Sequence, residues 1–348
     1  MFEPPRCPRI TCPAHTEPRR DDFPEPFYIR KGFFKPRCRA VPVQRFQCRI
    51  CERGFSRQTF RADYRDRKPH LNKPLFWALA SGNGLRQLAR EIDLTKNNLV
   101  KKARKIARHC RHLNLNLLGL FRGDVTLQFD ELETFEGCRS TRPVTLPILI
   151  HSDSMLLIGS AAGRIPASGR MTPKRREAIE REELRSGGPR PDESSEVCRE
   201  VFERAAERTA EDARVTLRSD YKTTYPKLAR GAFGDRLVAH EQTHSKEIRD
   251  ALNPLHRINL MLAKARDQLG RLRRRSWLVS KKRVQLALHM ELFAAYRNWN
   301  RPRFNGEEES PGELVGFIPR RLVQGEVLGW RQDFGRERSI KPWDRCSV

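Results

Sequence analysis

The stretch "LQFDELETFEG" (Leu127–Gly137) combines the pattern of a β-strand with a high density of acid. Apolar and polar residues alternate up to Asp130, and two glutamates then follow with one leucine between them. Alternation with a period of two is typical of a strand that buries one face. The whole chain is basic, with 69 Lys and Arg against 43 Asp and Glu in 348 residues. We therefore expect the acid at the end of this strand to have a chemical role.

A second predicted strand ends in the same way, since "VTLRSD" closes at Asp220 as "VTLQFD" closes at Asp130. Two carboxylates held together at one edge of a sheet repel each other unless a cation lies between them. Mg2+ and Mn2+ prefer such oxygen ligands and keep open positions for water and phosphate oxygens. The sequence thus predicts a Mg2+ or Mn2+ site at Asp130 and Asp220, with Glu131 and Glu133 as bystanders or supporting groups. The alternative, that both aspartates only begin turns, stays open.

The surrounding segments predict a mixed α/β domain over residues 120–300. Three consecutive strands are expected in "DVTLQFDELETFE", "PVTLPILIHSD" and "MLLIGSAAGRI", and a fourth in "ARVTLRSDYKTTYP". Residues 166–213, between the third and fourth strands, are charged and helical in composition, which indicates an insertion that includes an amphipathic helix. The chain from the fourth strand to about residue 300 is expected to be helical, and residues 301–348 form a tail without an assigned structure.

The helix that follows the fourth strand brings two more polar groups to one face. Asn259 and Arg266 are seven residues apart, which is about two helical turns, so they share a face of the helix. The Asn carbonyl oxygen can ligate a metal ion, and the Arg guanidinium can hold a phosphate.

The first 70 residues have the cysteine spacing of a small zinc-binding domain. Four cysteines form two close pairs along the chain: Cys7, Cys12, Cys48 and Cys51. Such pairs are typical of a structural Zn2+ site with four ligands, and the aromatic and basic residues between them suit the short strands of a zinc ribbon. Cys38 is an extra cysteine and His15 is a possible substitute ligand. The alternative is a set of unrelated free thiols.

Residues 71–115 predict a helix-turn-helix domain. Apolar residues at helical spacing are interrupted by "SGNG" (81–84), and Thr95 is placed to cap a further helix. A short helix, a tight turn and a second helix make the pattern that places a recognition helix in the major groove of DNA. The residues at the front of that helix are the expected DNA contacts: Lys96, Asn97, Asn98, Lys101 and Lys102. An ordinary helical bundle with a basic face is the alternative.

The net charge of +26 favours a polyanionic partner, and nucleic acid above all. No run of apolar residues reaches the length of a membrane span, and "MFEPPRCPRITCP" lacks the apolar core of a signal peptide. We therefore expect no membrane partner and a cytoplasmic, nucleoid-associated location. Clustered cysteines in a reducing compartment favour metal binding over disulfides.

Taken in order, these motifs resemble insertion-sequence transposases of the IS-one type and their close relatives. The resemblance covers roughly residues 7–300. Its pieces are the paired cysteines with "RFQCRICERGFS", "GNGLRQLAREIDLTKNNLV", "FDELETFEG", "RSDYKTTYP" and "HRINLMLAKARDQLGRLRRRSWLVSK".

The resemblance implies a multidomain protein with a zinc ribbon, an all-α helix-turn-helix and an α/β RNase-H-like catalytic domain. Asp130 and Asp220 match the two metal-binding aspartates of that family. Asn259 falls where the third metal ligand, often Glu, is expected, and Arg266 matches a basic residue two turns further on. Glu241 and Glu247 are outside candidates for the third ligand.

The implied activity is metal-dependent cleavage and strand transfer of double-stranded DNA. The implied partners are the terminal inverted repeats and the target DNA, bound by a homodimer or a higher oligomer. The alternative is a catalytically inactive, sequence-specific DNA-binding protein derived from a transposase.

Overall fold

A computed structural model describes residues 2–18, 25–38, 40–244, 246–248, 250–273, 278 and 280–330. A small unit at the N-terminus begins with the short helix α1 (Pro13–Thr16) and continues with an antiparallel sheet of β1 (Tyr28–Phe34), β2 (Val43–Cys48) and β3 (Gly54–Ser56). Its core is aromatic and contains Phe27, Phe46, Phe55 and Phe60. The short strands expected around the cysteine pairs are confirmed.

Three helices follow, in the region where the sequence pattern predicts helices. They are α2 (Asn72–Leu79), α3 (Leu85–Glu91) and α4 (Lys96–Leu117). The Oγ1 atom of Thr95 accepts a hydrogen bond from the backbone N–H of Asn98 at 3.3 Å, which satisfies one of the free amides at the start of α4. The expected cap and the break between α2 and α3 are therefore confirmed.

The largest element of the fold is a second, mixed sheet. Its strands are β4 (Asp124–Phe135), β5 (Pro143–His151), β6 (Leu157–Ser160), β7 (Gly163–Arg164), β8 (Arg214–Asp220) and β9 (Leu237–Thr243). The order across the sheet is β6-β5-β4-β8-β9, with β7 paired to β5. The first three strands along the chain are antiparallel neighbours, whereas β8 and β9 run parallel to β4. The protein is thus a mixed α/β protein.

Two predictions about these strands were wrong. β9 lies in a region expected to be helical; it is an edge strand whose middle is polar, so its alternation is weak. β4 does not end at Asp130 but continues to Phe135, because Leu132 extends the same alternation and is fully buried. Asp130 therefore lies within a strand, beside the point where the parallel neighbour ends.

Helices cover both faces of the sheet. In chain order they are α5 (Pro173–Ser186), α6 (Ser194–Ala206), α7 (Tyr225–Phe233), α8 (His256–Gln268), α9 (Arg283–Ala295), α10 (Pro311–Leu314) and α11 (Gln324–Gly329), with a π-helical turn (Tyr296–Asn300) after α9. On one face Leu127 and Phe129 pack with α6 and α7. On the other face Leu132 and Ile148 pack with α8 and one side of α9. Asn298 binds both backbone groups of Leu157 and so fixes the end of α9 at β6.

The predicted insertion at residues 166–213 is only partly an insertion. α5 buries no residue and is joined to the sheet region by the ion pair between Arg142 and Glu182, at 2.5 Å. α6, in contrast, is the predicted amphipathic helix and packs directly on the sheet, where Val201 and Phe202 are fully buried. The segment that stands off the core is therefore the part before α6.

The long helix α4 joins the N-terminal half of the chain to this sheet. The first three residues of the helix are exposed, whereas its last turns pack against α9. Asn114 donates to the backbone oxygen of Glu291 and accepts from the indole N–H of the buried Trp299, at 2.9 and 2.8 Å. Across the described part of the chain, no helix combines the length and apolar character that crossing a membrane requires.

Candidate functional site

Asp130 and Asp220 occupy adjacent positions on two parallel strands. Phe129 of β4 is paired with Ser219 of β8, and each aspartate is the next residue of its strand. Neighbouring strands lie about 4.8 Å apart, and residues in register point to the same face. The structure therefore places the two predicted aspartates in neighbouring positions, on the same face of the sheet and at the point where β8 ends.

The face on which they lie is the one covered by α8. Gln128, two residues before Asp130, donates through Nε2 to the backbone oxygen of Pro254 at 2.8 Å and accepts through Oε1 from the backbone N–H of Ile258 at 2.8 Å. Leu132, two residues after Asp130, packs in the α8 core. Because side chains alternate along a strand, Asp130 lies on the α8 face, between two residues that contact that helix or its core.

Asn259 and Arg266 lie on the flank of α8 that is turned toward β8. The other flank carries Arg257 and Lys264, whose charged ends lie 5.2 and 4.7 Å from the ring centroid of Phe304. The neighbouring Arg303 donates to the carbonyl oxygen of Asp153, in the connection between β5 and β6, so this flank is on the β6 side. A helix turns about 100° per residue, so Asn259 and Arg266 are about 160° around the axis from Arg257 and Lys264, respectively. The two predicted residues thus belong to the side of α8 nearest the aspartates.

Glu131 points to the opposite face and is held there by three groups. It accepts hydrogen bonds from Lys222 Nζ at 2.5 Å, from Thr145 Oγ1 at 2.5 Å and from the Tyr225 hydroxyl. Burial alone would raise the pKa of Glu131, but these hydrogen bonds outweigh burial and lower its pKa. Glu131 is therefore an ionised group that ties β4 to the segment after β8.

Sequence reasoning missed Lys222 and Tyr225. Both follow Asp220 within five residues, so the ion pair between Lys222 and Glu131 joins the two strands directly behind the two aspartates. The sequence did contain a signal for this ion pair: a lysine follows Asp220 in "SDYK", and a second acidic residue follows Asp130 in "FDE". Their contacts hold the carboxyl end of β8 against β4.

The backbone at the end of β8 is fixed from β9 as well. The Nε2 group of Gln242 donates to the carbonyl oxygens of Asp220 and Lys222, at 3.3 and 3.2 Å. The Oγ atom of Ser219 is 2.9 Å from Nε2 of His240. Burial lowers the pKa of His240, which favours its neutral form. Hydrogen bonds on both sides of Asp220 thus hold its backbone in place.

The two outside candidates for a third acidic ligand have other contacts. Glu241 lies on β9 and forms an ion pair with Arg218 at 2.7 Å. Thr243 is the residue of β9 that pairs with Asp220, and Glu241 comes two residues earlier in β9. Glu241 is therefore displaced from the level of Asp220 by about 7 Å along the strand direction. Glu247 lies in the exposed segment after β9 and accepts from the backbone N–H of His244 at 3.3 Å.

The four paired cysteines come together in one cluster. Cys7 and Cys51 have their sulfurs 3.5 Å apart, and Cys12 and Cys48 have theirs 3.8 Å apart. All four sulfurs lie within 4.8 Å of one another. Four sulfurs around a tetrahedral ion, each at about 2.3 Å, would be separated by about 3.8 Å. The cluster therefore has the dimensions of a four-thiolate metal site.

Backbone amides also face these sulfurs. N–H groups of Arg9, Ala14 and Arg53 hydrogen-bond the sulfurs of the cysteines two positions before them. Burial raises the pKa of Cys7, whereas for Cys51 the amide of Arg53 and the neighbouring thiols outweigh burial and lower the pKa to about 7. Amides directed at the sulfurs stabilise thiolates, which is the form that binds metal.

The alternative ligands lie outside the cluster. His15 uses Nδ1 to contact the backbone oxygen of Cys7 at 2.7 Å. Cys38 is exposed, and its sulfur lies 3.5 Å from the backbone oxygen of Asp66. The backbone turns just after Cys51 at Glu52, which has a positive φ of 56°. Gly54 already belongs to β3.

Four of the five predicted DNA-contacting residues are exposed at the start of α4: Lys96, Asn97, Asn98 and Lys101. Lys102 differs, because its side chain is only 13% exposed and its ammonium group binds Asp66 Oδ2 at 2.5 Å and Asn72 Oδ1 at 2.8 Å. Lys102 therefore anchors α4 to the segment that follows the first sheet. It does not belong to the exposed face of the helix.

A depression of about 540 Å³ lies at the other end of the large sheet. Its walls include Glu207, Glu211 and Asp235, near the amino ends of β8 and β9. None of the predicted site residues lines it. The acidic walls make it an unsuitable surface for a polyanion.

No family model matches this chain, and no curated protein matches it. Within the described residues, the four cysteines form the group of three or more His, Cys, Asp and Glu side chains that is close enough to hold a metal ion.

Proposed function

We propose that this protein is a DNA transposase with a metal-dependent catalytic site at Asp130, Asp220 and Asn259. The observation that carries the proposal is the register of β4 and β8, which sets two carboxylates side by side beneath α8. The sheet has three antiparallel strands followed by two parallel ones, with helices on both faces. That arrangement supports the RNase-H-like domain that the sequence resemblance implies.

The residues fit a Mg2+ or Mn2+ site in their chemistry. Asp130 and Asp220 supply anionic oxygens, and Asn259 supplies a neutral carbonyl oxygen. A bound divalent ion would activate the attacking oxygen and stabilise the leaving oxygen of a phosphodiester. Arg266, on the same flank of α8 as Asn259, would hold a phosphate oxygen. The Asn259 amide is too weakly basic to take up a proton, so general base catalysis is not its role.

The proposed reaction has two steps on one strand. Water attacks the phosphodiester at the end of the mobile element and breaks the P–O3′ bond, which frees a 3′-hydroxyl group. That hydroxyl then attacks a phosphodiester of the target DNA, and a 3′-hydroxyl of the target leaves. In each step one P–O bond breaks and another P–O bond forms at the same phosphorus. No energy-rich cofactor is therefore required.

The N-terminal half would bind the element ends. The cysteine cluster would hold a structural Zn2+, which would stabilise a unit whose core is otherwise a few aromatic rings. The exposed start of α4 would enter the major groove of double-stranded DNA. Two ends must be held together for strand transfer, so the active form would be a homodimer or a higher oligomer.

A second candidate function is sequence-specific DNA binding without cleavage. The feature that favours it is Asn259, because an amide binds a divalent ion more weakly than a carboxylate. The N-terminal modules would be the same in both cases. Cleavage is the property that separates the two.

A cleavage assay tests the proposal. Purified protein would be incubated with DNA that flanks its own coding region, with Mg2+ or Mn2+. Metal-dependent nicking at a defined end is expected for the wild type and is expected to vanish in Asp220→Asn. The matched control is Asp124→Asn, an exposed aspartate at the other end of β4. Specific binding without a cut in any variant would leave only the DNA-binding function.

A further inference from the structure

The β1–β2 hairpin projects beyond the aromatic core of the first sheet. Phe33 at the end of β1 is 67% exposed and Phe34 is 38% exposed, and Val41 in the connecting loop is 73% exposed. Exposed apolar side chains that cluster and are rimmed by polar residues mark interaction sites, whereas single exposed residues do not. The hairpin therefore carries apolar area that the fold does not use.

The same hairpin is strongly basic. Residues 28–49 contain seven Lys and Arg and no Asp or Glu. Four of the basic residues are described and exposed around the two rings: Arg30, Lys31, Lys35 and Arg37. An apolar surface among basic side chains is complementary to a nucleic acid, which offers aromatic faces between phosphates.

The two rings lie on opposite faces of the hairpin. Phe33 is paired with Gln44 and Phe34 with Val43, so they alternate. The pairing shifts between Arg30 and Phe33, where Gly32 has a φ of 72°. Gln44 donates through Nε2 to the carbonyl oxygen of Gly32 at 2.8 Å and fixes this bulge. The bulge thus determines on which face of the hairpin the Phe33 side chain lies.

The hairpin loop also adjoins the start of α4. Cys38 lies 3.5 Å from the backbone oxygen of Asp66, and Asp66 in turn binds Lys102 of α4. The exposed front of α4 is the proposed DNA-reading surface. A duplex bound there would have the basic hairpin beside it.

We propose that the β1–β2 hairpin is a DNA wedge whose Phe33 ring stacks on a base at an opened step, while the flanking Lys and Arg bind phosphates. This inference rests on the proposed DNA-binding function and goes beyond it, because it assigns the hairpin a preference for distorted or unpaired DNA. Insertion of an apolar side chain at a base step is favoured where the step is already unstacked. Base stacking on one aromatic ring contributes roughly a ten- to hundredfold gain in affinity.

The test compares two DNA probes that differ only in pairing: a fully paired duplex and the same duplex with a central mismatched bubble. The wild type is expected to bind the bubble roughly tenfold or more tightly. Phe33→Ala and Phe33→Leu are expected to lose that preference, and Phe33→Tyr is expected to keep it. Leu184→Ala, an exposed apolar residue on α5 and outside the hairpin, is the matched control. All variants keep the buried core, so circular dichroism is expected to be unchanged.

Equal binding of both probes by the wild type, or an unchanged preference in Phe33→Ala, would overturn the wedge. The readout is independent of cleavage. A preference that depends on Phe33, together with no nicking, would support the wedge and reject the transposase. Nicking by wild type and Phe33→Ala alike, with no bubble preference, would reject the wedge alone. Failure to bind either probe would reject both the wedge and the DNA-binding function.

Discussion

Asp130 and Asp220 stand one step beyond the Phe129–Ser219 pair, side by side on parallel strands. β8 ends there while β4 continues to Phe135. The two aspartates therefore lie at the carboxyl end of β8, where the parallel pairing between β4 and β8 ends. Hydrogen bonds from Gln242, and the Glu131–Lys222 ion pair on the opposite face, hold that edge in place.

A divalent ion is expected to stabilise the wild type and not Asp220→Asn. An ion that binds only the folded state adds about 2.7 kcal/mol at a hundred times its Kd. Thermal unfolding with increasing Mn2+ would measure the effect. Asp124→Asn should retain the wild-type response. A rise in Tm that persists in Asp220→Asn would place the ion elsewhere.

Replacing Asn259 by Asp is expected to strengthen metal binding, because the new carboxylate adds a charge to the ligand set. The Mn2+ concentration at the midpoint of stabilisation should fall about tenfold, an effect of about 1.4 kcal/mol. Asn259→Leu should raise the midpoint. If neither change moves it, the third ligand is another group, and Glu241→Gln would test the nearest alternative.

Lys222→Met is expected to destabilise the fold by about 2–3 kcal/mol, because it leaves the buried Glu131 carboxylate without its cation. The comparison is Arg218→Met, which breaks the more exposed ion pair with Glu241 and should change the free energy of unfolding by less than about 1 kcal/mol. Urea unfolding measures both. Equal losses would mean that Glu131 does not depend on Lys222.

The cysteine cluster is expected to bind zinc that can be removed with a chelator. Cys48→Ser should lose the metal and unfold the first sheet, since structural zinc supplies about 10 kcal/mol to small domains. The large sheet should stay folded. Cys38→Ser should keep both metal and stability. Native mass spectrometry counts the ion, and retention of zinc by Cys48→Ser would contradict the assignment.

Stability is expected to fall in mild acid because two buried histidines stay neutral. Burial lowers the pKa of His109 to about 4 and that of His289 to about 3. Below about pH 6.5 the unfolded chain takes up protons that the folded protein does not, so stability falls as pH falls toward those values. Each histidine contributes a slope of up to about 1.4 kcal/mol per pH unit.

His289→Gln tests this expectation. His289 donates through Nε2 to the Leu79 carbonyl oxygen at 2.8 Å and accepts from Arg271 at 2.9 Å, and Gln can make both bonds without titrating. The variant should show a shallower loss of stability between about pH 6.5 and pH 5. An identical pH profile would mean that other groups govern acid unfolding.

Local signals predicted the elements that depend on local chemistry. The cap at Thr95 and the cysteine pairs are short-range patterns, and both appear as expected. β9 escaped prediction because its pairing with β8, and not its own composition, makes it a strand. The burial of the Lys102 side chain depends on its contact with Asp66, which is 36 residues away in the sequence. A local sequence pattern does not contain that contact.

The same limit applies to the site. Two aspartates after similar strands could be found in the sequence, but their adjacency depends on the register of β4 and β8. The side of α8 that faces them depends on where Phe304 packs. Whether Glu131 lies on the same face of the sheet as the two aspartates or on the opposite face depends on one residue of strand alternation.

Helix α4 has a consequence for where such a protein would cut. It is one unbroken helix of 22 residues, about 33 Å long, exposed at its first three residues and packed on α9 at its last turns. A rod of fixed length would act as a molecular ruler between the base pairs it reads and the bond that is broken. One turn added to α4 would move the exposed start of the helix about 5.4 Å further from α9. Cleavage would then shift along the DNA by a constant number of nucleotides, whatever the sequence there.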